Sequence, residues 1–276
     1  ENKYGFNKST KSLFIKDKIK GFILSIILGS LILTPILYLF NSIGISSWIY
    51  VWFLMIILIV VLPKIYINFI APLFNKFISL EDGELNTIIK QYAKSVNFSI
   101  KEIFVMDGSK RSSHSNAYFT GFGKHKRIVL FDTLLNSHTN KEILSILAHE
   151  VGHYKKKHIF INTLISTILT GIMLYLLSYF ILNEKLFMVF KMEYVSYHAG
   201  LIFFSILYTP ISLLFGIIIN FISRHNEFQA DVFSVKTTKN KKNLISALKN
   251  LTISNLGNLT PHKFNVILNY THPPIL

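Results

Sequence analysis

The chain has 276 residues, of which 51% are hydrophobic and 16% charged, with a formal net charge of +15 and a mean hydropathy of +0.43. Soluble globular domains carry about 25% charged residues, so this composition argues against an ordinary cytosolic enzyme, and its apolar content excludes a disordered chain. The chain contains no cysteine, which excludes disulfide scaffolds, thiol nucleophiles and cysteine-bound zinc or iron.

Four apolar stretches are long enough to cross a bilayer, for which about 20 residues are required. They lie at roughly 21–40, 47–70, 159–183 and 199–221. Buried helices of a large soluble protein are the alternative, but four such runs in a chain of this size would leave little polar surface. We therefore expect a protein embedded in a lipid bilayer.

The basic residues indicate how the chain is oriented in the membrane. Four crossings would place residues 1–20, 71–158 and 222–276 on one side, and these segments contain 26 of the 29 Lys and Arg residues. By the positive-inside rule, that side faces the cytosol. The net charge is then mainly a consequence of topology. Since no basic repeat with interleaved aromatic residues is present, we expect no nucleic-acid partner.

A β-hairpin is predicted between the second and third spans. The runs Ser115–Phe119 and Arg127–Phe131 are rich in aromatic and β-branched residues, and Gly121-Phe122-Gly123 lies between them. Short runs of this composition on either side of a glycine-containing turn are typical of paired antiparallel strands.

A helix is predicted over residues 139–158. Apolar residues recur along it at helical spacing, and Thr139 with Glu142 three residues later forms a capping-box pattern that would start it. This helix contains the sequence His149-Glu150-Val151-Gly152-His153, which is an H-E-x-x-H motif.

The motif predicts a metal site. Because four residues make about one helical turn, His149 and His153 project from the same face and both imidazoles can reach one ion. Glu150 is rotated by about 100° from His149, which suits a base acting on metal-bound water rather than a ligand. A chance match in a chain with this many histidines remains the alternative.

A catalytic zinc requires a third protein ligand, and the best candidate follows the fourth span. Glu227 lies immediately beyond that span, and Asp231 lies four residues later on the same helical face. Asp231 is therefore placed to accept a hydrogen bond from the far nitrogen of a ligating histidine. Two ordinary acidic residues on a solvated helix are the alternative.

With these residues in place, the chain resembles a known family, the type I CAAX prenyl proteases, which are integral-membrane zinc metalloproteases. The matching stretches run in collinear order over essentially the whole chain. They are Tyr4–Asn7, Ile70–Phe74, Gly108–Phe119, Lys126–Leu134, the H-E-x-G-H motif, Ser223–Asp231 and His272–Pro274. The chain resembles a fragment of such a protein that lacks the first two spans and the extreme C-terminus.

The resemblance implies roles for the matched positions. His149, His153 and Glu227 would bind one Zn²⁺ per chain, and Glu150 would be the catalytic base. His272 would stabilise the oxyanion as a second catalytic residue.

Three further assignments follow from the same matches. Asn116 and Ala117 match a strand that pairs with substrate backbone, whereas a turn residue is the alternative for Asn116. Arg224 would orient Glu227 or Asp231 from outside the ligand set.

The resemblance also implies a fold and a domain order. We expect a mainly α, multi-pass membrane protein with a small zincin-like α+β portion on the cytosolic side. The expected segments are 1–70 with two spans, 71–158 with the hairpin and the H-E-x-x-H helix, 159–221 with two more spans, and 222–276 with the third ligand.

The implied function is removal of the C-terminal tripeptide from prenylated CAAX proteins by attack of zinc-bound water. The partners would be the prenylated substrate and the lipid bilayer, in the endoplasmic reticulum membrane and also the inner nuclear membrane, with the active site open to the cytosol. Two alternatives are a zinc metalloprotease for membrane-protein quality control and a non-catalytic, translocon-clearing membrane protein.

Overall fold

A computed structural model describes residues 5–120 and 126–275 of the chain. Most of these residues are helical, and a small four-stranded sheet is present. The helices are α1 Lys11–Ile43, α2 Ser47–Ile65, α3 Ala71–Phe74, α4 Glu84–Ser95, α5 Asp132–Ser137, α6 Asn140–Lys155, α7 His158–Phe180, α8 Glu184–Val189, α9 Tyr197–Thr238, α10 Lys241–Ser254 and α11 Lys263–Asn269. The strands are β1 Phe77–Ser79, β2 Glu102–Met106, β3 Ala117–Thr120 and β4 Arg127–Phe131.

The described residues form two compact units. The helical unit comprises residues 12–63 and 160–216, and the sheet unit comprises the described residues within 1–11, 64–159 and 217–276. Segments that are far apart along the chain therefore fold together in each unit. The expected division of the chain at residues 70, 158 and 221 stays a prediction.

Three helical stretches among the described residues are long and apolar enough to cross a membrane: Lys11–Phe74, His158–Phe180 and Tyr197–Thr238. The first stretch contains both α1 and α2, which a short 3-10 helix at Gly44–Ser46 separates. It therefore includes the two predicted spans at 21–40 and 47–70. The total of four crossings stays a prediction.

The helical unit has an apolar interior and an apolar outer surface. Phe40, Val51 and Leu177 belong to its buried cluster. Trp52 packs against this cluster and donates from Nε1 to the backbone oxygen of Thr167 at 2.8 Å, which satisfies its polar group. Many large apolar side chains on the same helices are exposed, and this is the surface expected where lipid replaces water.

The sheet unit is built on the strand order β1-β2-β4-β3. Strands β1 and β2 are antiparallel, β2 and β4 are parallel, and β3 pairs antiparallel with β4, with Tyr118 opposite Val129. The predicted hairpin strands are thus confirmed as β3 and β4, while the predicted turn at Gly121–Gly123 lies outside the described residues. Strand β3 forms one edge of this sheet.

Helix α6 begins at the predicted capping box. The backbone N–H of Glu142 donates to Thr139 Oγ1, and the backbone N–H of Thr139 donates to Glu142 Oε2 at 2.9 Å. The other carboxylate oxygen of Glu142 accepts hydrogen bonds from Ser246 and Asn250 of α10. One buried glutamate therefore both starts α6 and fixes α10 against it. Leu147 of α6 packs into the core beneath the sheet.

Helices α6 and α9 pack closely against each other at Gly152. A Cβ atom added to Gly152 would lie 3.0 Å from Ala230 Cα and 3.1 Å from Ala230 O. One turn beyond Ala230 on α9, Ser234 donates to the backbone oxygen of Ser145 of α6 at 2.8 Å. Both serines are buried. The absence of a side chain at Gly152 is what allows the two backbones to come this near.

We predict that Gly152→Ala destabilises the sheet unit. Overpacking against a backbone costs about 1–3 kcal/mol, which offsets the gain of about 1 kcal/mol that alanine brings to a helix. The apparent unfolding temperature of the purified protein in detergent should fall. Gly216→Ala in α9 is the matched control, because a Cβ there meets nothing within 4 Å, and it should not lower that temperature. If the Gly152→Ala protein were as stable as the control, the contact between α6 and α9 would have room for an added methyl group, and the prediction would be wrong.

Candidate metal centre

The two histidines of the H-E-x-x-H motif meet one helical turn apart on α6. The Nε2 atoms of His149 and His153 lie 3.0 Å from each other. Both rings are mostly buried, with side-chain exposures of 13% and 18%. The predicted common face is therefore present, and it directs both nitrogen lone pairs to one place.

Glu227 of α9 completes the cluster. Its Oε2 atom lies 3.2 Å from His149 Nε2, and its Oε1 atom lies 3.5 Å from His153 Nε2. One ligand atom from each of the three residues lies within 4.8 Å of the others. The sequence placed Glu227 beyond the fourth predicted span, and the α6–α9 contact at Gly152 brings it to the histidines.

The chemistry of this donor set fits a zinc ion. Two imidazole nitrogens and one carboxylate oxygen are the ligands of many catalytic zinc sites, which leave a fourth position for water or substrate. Two imidazole lone pairs only 3.0 Å apart repel each other unless a cation or a proton lies between them. Among the residues that the structure describes, His149, His153 and Glu227 form the group that could hold the metal.

Asp231 fixes the orientation of His149. Its Oδ1 atom accepts a hydrogen bond from His149 Nδ1 at 2.8 Å. In the neutral imidazole, a proton held at Nδ1 leaves the lone pair on Nε2, which is the atom that faces Glu227. Asp231 therefore contacts the nitrogen of His149 that lies away from the cluster, and its role behind a metal ligand stays a prediction.

The electric field at His149 favours positive charge. Burial by itself lowers the pKa of this imidazole, but the carboxylates of Asp231 and Glu227 outweigh burial and raise the pKa to about 10. The same carboxylates would stabilise a bound cation, which competes with the proton for Nε2.

Glu150 lies beside the ligands without joining them. It lines the same cavity as His149 and Glu227. Burial raises the pKa of its carboxyl group, and the neighbouring Glu227 acts in the same direction, while His149 and His153 oppose the change. A carboxylate whose proton affinity is raised in this way is suited to accept a proton during a reaction and return it later.

A cavity of about 620 Å³ opens onto the ligands. Its polar lining includes His149, Glu150, Glu227, Asn116 and His272. Apolar side chains from several elements supply much of the remaining wall, namely Phe131, Leu134, Ile146, Leu244, Leu248 and Leu251. The cavity can therefore hold a peptide segment with apolar side chains close to the candidate metal position.

Asn116 and Ala117 stand at the rim of this cavity, where β3 begins. Asn116 is exposed, and its side-chain oxygen accepts from the backbone N–H of Ala117 at 2.8 Å. The backbone oxygen of Asn116 accepts from Phe131 N and so continues the pairing with β4. The strand edge therefore lines the same cavity as the candidate metal ligands, while its pairing with substrate stays a prediction.

His272 also reaches the cluster. Its Nε2 atom lies 3.4 Å from Glu227 Oε1, and 71% of its side chain is exposed. It lies in the segment after α11, so the cavity is lined both by residues near the start of β3 and by the C-terminal segment.

Arg224 has different partners from those we expected. It donates from Nη1 to the backbone oxygens of Val266 and Tyr270, at 2.9 and 2.6 Å. Asn220 holds the same segment through Leu268 O at 2.6 Å. The prediction that Arg224 orients Glu227 or Asp231 is therefore corrected: it anchors the segment that leads to His272. Sequence spacing suggested the wrong partner because α11 returns to α9 from more than 40 residues away.

Sequence reasoning did not single out His158. This residue begins α7, is 2% exposed, and its Nδ1 atom lies 3.0 Å from His153 Nδ1. The available signal was a third histidine five residues after His153, but spacing alone does not show that a new helix turns its ring back onto the motif.

Comparisons with known proteins agree with this geometry. Residues 79–276 match the family model of peptidase family M48, and residues 1–76 match the model described as the CAAX prenyl protease N-terminal, five membrane helices. The second match confirms the prediction of a helical membrane protein. The first covers the whole of the candidate metal centre.

Individual relatives match over the whole chain. The chain is 42% identical to the CAAX prenyl protease 1 homolog of Arabidopsis thaliana, 35% to that of Homo sapiens and 39% to CAAX prenyl protease 1 of Saccharomyces cerevisiae. All of this chain is aligned in each case, against 65%, 66% and 64% of those proteins. The chain thus spans about two thirds of the length of these relatives.

A solved structure shares the fold. The crystal structure of S. mikatae Ste24p matches with a TM-score of 0.93 and 37% sequence identity, over 100% of this chain and 67% of that one. The predicted mainly α fold class is confirmed, as is the predicted resemblance. The chain belongs to peptidase family M48, and its similarity to CAAX prenyl protease 1 proteins extends over its full length.

Proposed function

We propose that the protein carrying this chain is a membrane zinc metalloendopeptidase that removes the C-terminal tripeptide from prenylated CAAX proteins. The observation that carries the proposal is the convergence of His149, His153 and Glu227, with ligand atoms within 4.8 Å of one another. Family membership supports peptidase chemistry, and the names of the relatives support the CAAX substrate.

The metal would supply one part of the chemistry. When bound, Zn²⁺ polarises a peptide carbonyl and makes water a stronger nucleophile at neutral pH. His149 and His153 would hold it through Nε2, and Glu227 through its carboxylate, while Asp231 keeps the proton of His149 on Nδ1.

Glu150 would move the proton. Its carboxylate takes a proton from the attacking water and later gives it to the leaving amine nitrogen. The raised pKa of this residue supports the first transfer, because a stronger base accepts the proton more readily at neutral pH. His272 would donate a hydrogen bond to the carbonyl oxygen as negative charge develops there.

The strand edge would align the substrate. Asn116 and the start of β3 offer backbone groups to an extended peptide, and main-chain hydrogen bonds of this kind position a scissile bond without reading its sequence. The apolar wall formed by Leu244, Leu248 and Leu251 suits the aliphatic residues of a CAAX tripeptide. A prenyl group would keep the substrate at the bilayer, where the protein resides.

The proposed location follows from the charge distribution. Since 26 of 29 basic residues lie in segments 1–20, 71–158 and 222–276, those segments would face the cytosol, where prenylated proteins are made. We propose the endoplasmic reticulum membrane, and also the inner nuclear membrane, as the site of action.

We predict about one zinc ion per chain in the purified protein. His149→Ala, His153→Ala and Glu227→Ala should each reduce the zinc content, measured by elemental analysis after dialysis, to below about one tenth, because two ligands do not retain the ion. His198→Ala, at an exposed histidine of α9, is the matched control and should keep the full content. Zinc retained at wild-type level in all three ligand variants would refute the site.

We predict that Glu150→Gln keeps its zinc but loses cleavage by about 10²–10⁴-fold, since glutamine has the same shape and cannot accept the proton. The assay is release of the tripeptide from a farnesylated C-terminal peptide. If the wild-type and Glu150→Gln proteins contain equal amounts of zinc, the loss of cleavage is due to the missing base and not to a missing metal. Unchanged cleavage would exclude the proposed role of Glu150.

Substrate choice separates the proposal from its main alternative. We predict cleavage of a farnesylated CAAX peptide and at least about tenfold slower cleavage of its unprenylated twin, because only the former partitions into detergent micelles or bilayer. Cleavage of an unfolded membrane protein with no preference for prenylated peptide would instead favour a quality-control metallopeptidase.

A further inference from the structure

His158 lies behind the second candidate ligand and is the start of a chain of polar contacts. Its Nδ1 atom is 3.0 Å from His153 Nδ1, and its Nε2 atom is 3.3 Å from Gln229 Oε1. The amide nitrogen Nε2 of Gln229 in turn lies 2.8 Å from His225 Nε2. His158 itself is 2% exposed, so water cannot replace these partners.

The direction of these hydrogen bonds follows from the atoms involved. An amide oxygen can only accept, so His158 must donate from Nε2 to Gln229 Oε1. A neutral imidazole with its proton on Nε2 has a lone pair on Nδ1, which then accepts from His153 Nδ1. His153 is left with a bare Nε2, the atom that lies 3.5 Å from Glu227 Oε1.

The opposite direction is incompatible with metal binding. If His158 donated from Nδ1, His153 Nδ1 would be the acceptor and its proton would sit on Nε2. A protonated Nε2 cannot coordinate a metal ion. The contact with His158 therefore selects the one tautomer of His153 that can act as a ligand.

The two histidine ligands are held by chemically different partners. His149 donates to a carboxylate, Asp231, whereas His153 donates to a neutral ring. A second carboxylate at the position of His158 would add another negative charge beside Glu227 and Asp231. A neutral acceptor such as His158 fixes the tautomer of His153 without adding charge repulsion with Glu227 and Asp231.

We propose that His158 is a positioning residue that holds the proton of His153 on Nδ1 and thereby keeps Nε2 available for the metal. The inference rests on the proposed function, because it takes His153 to be a zinc ligand. Gln229 supports His158 in the same way that His158 supports His153.

The test compares His158→Phe with His158→Asn in the purified protein. Phenylalanine keeps a ring in the buried space but offers no acceptor, whereas the asparagine Oδ1 is separated from Cα by the same number of bonds as the histidine Nδ1. Zinc affinity is measured by competition with a chromogenic chelator. We expect His158→Phe to weaken it about 10–100-fold, the usual effect of losing such a partner, and His158→Asn to restore most of that loss.

Three further measurements make the outcome decisive. The visible absorption of the Co²⁺-loaded protein should match wild type in His158→Asn and differ in His158→Phe. His198→Phe, at an exposed position of α9, is the control and should change neither readout. The unfolding temperature of the metal-free proteins reports any loss of packing.

Two results would overturn the inference alone: wild-type zinc affinity in His158→Phe, or an equal loss in both His158 variants accompanied by equal destabilisation of the metal-free protein. Failure of the wild-type protein to bind zinc would instead overturn the proposed function, and this inference with it.

Discussion

The candidate site depends on the close packing of α6 against α9 at Gly152. The two histidines belong to α6, and the carboxylate that joins them belongs to α9. With Ala230 Cα 3.0 Å from where a Cβ of residue 152 would lie, the helix axes are near enough for a glutamate side chain to span the gap. A larger residue at position 152 would separate the helices and pull Glu227 away from both imidazoles. The glycine is therefore as much a part of the metal centre as the residues that would touch the ion.

The residues around this contact influence which nitrogen of each candidate ligand histidine carries a proton. In the proposed arrangement, Asp231 and His158 each accept a hydrogen bond from Nδ1 of one histidine, so that Nε2 of the neutral ring is free for the metal. The carboxylates also raise the pKa of His149, so the site has a strong preference for positive charge. Glu150 sits in the same field but outside the cluster, where burial raises its pKa and makes it a better base. In the proposed site, ligand, orienting and proton-transfer roles are distributed among neighbouring side chains on α6, α7 and α9.

The cavity links this chemistry to a class of substrate. It brings together a strand edge at Asn116, the candidate ligands and an apolar wall from α10. Arg224 and Asn220 hold the segment before His272 by its backbone oxygens, which fixes where that histidine enters the cavity. An extended peptide with aliphatic side chains fits such a space, and under the proposed function the apolar helices would bring the protein to the bilayer in which a lipid-modified substrate is anchored.

Local sequence patterns determined those parts of the molecule that depend only on neighbouring residues. The turn of an α-helix places His149 and His153 together, the Thr139–Glu142 pair starts α6, and runs of aromatic and β-branched residues indicate β3 and β4. Each of these signals acts within a few residues of the backbone. Only the tertiary structure decided the parallel pairing of β2 with β4, the partners of Arg224 and the return of His158 onto His153. These contacts join separate elements, and their geometry comes from how whole helices and strands pack, which no spacing along the chain encodes.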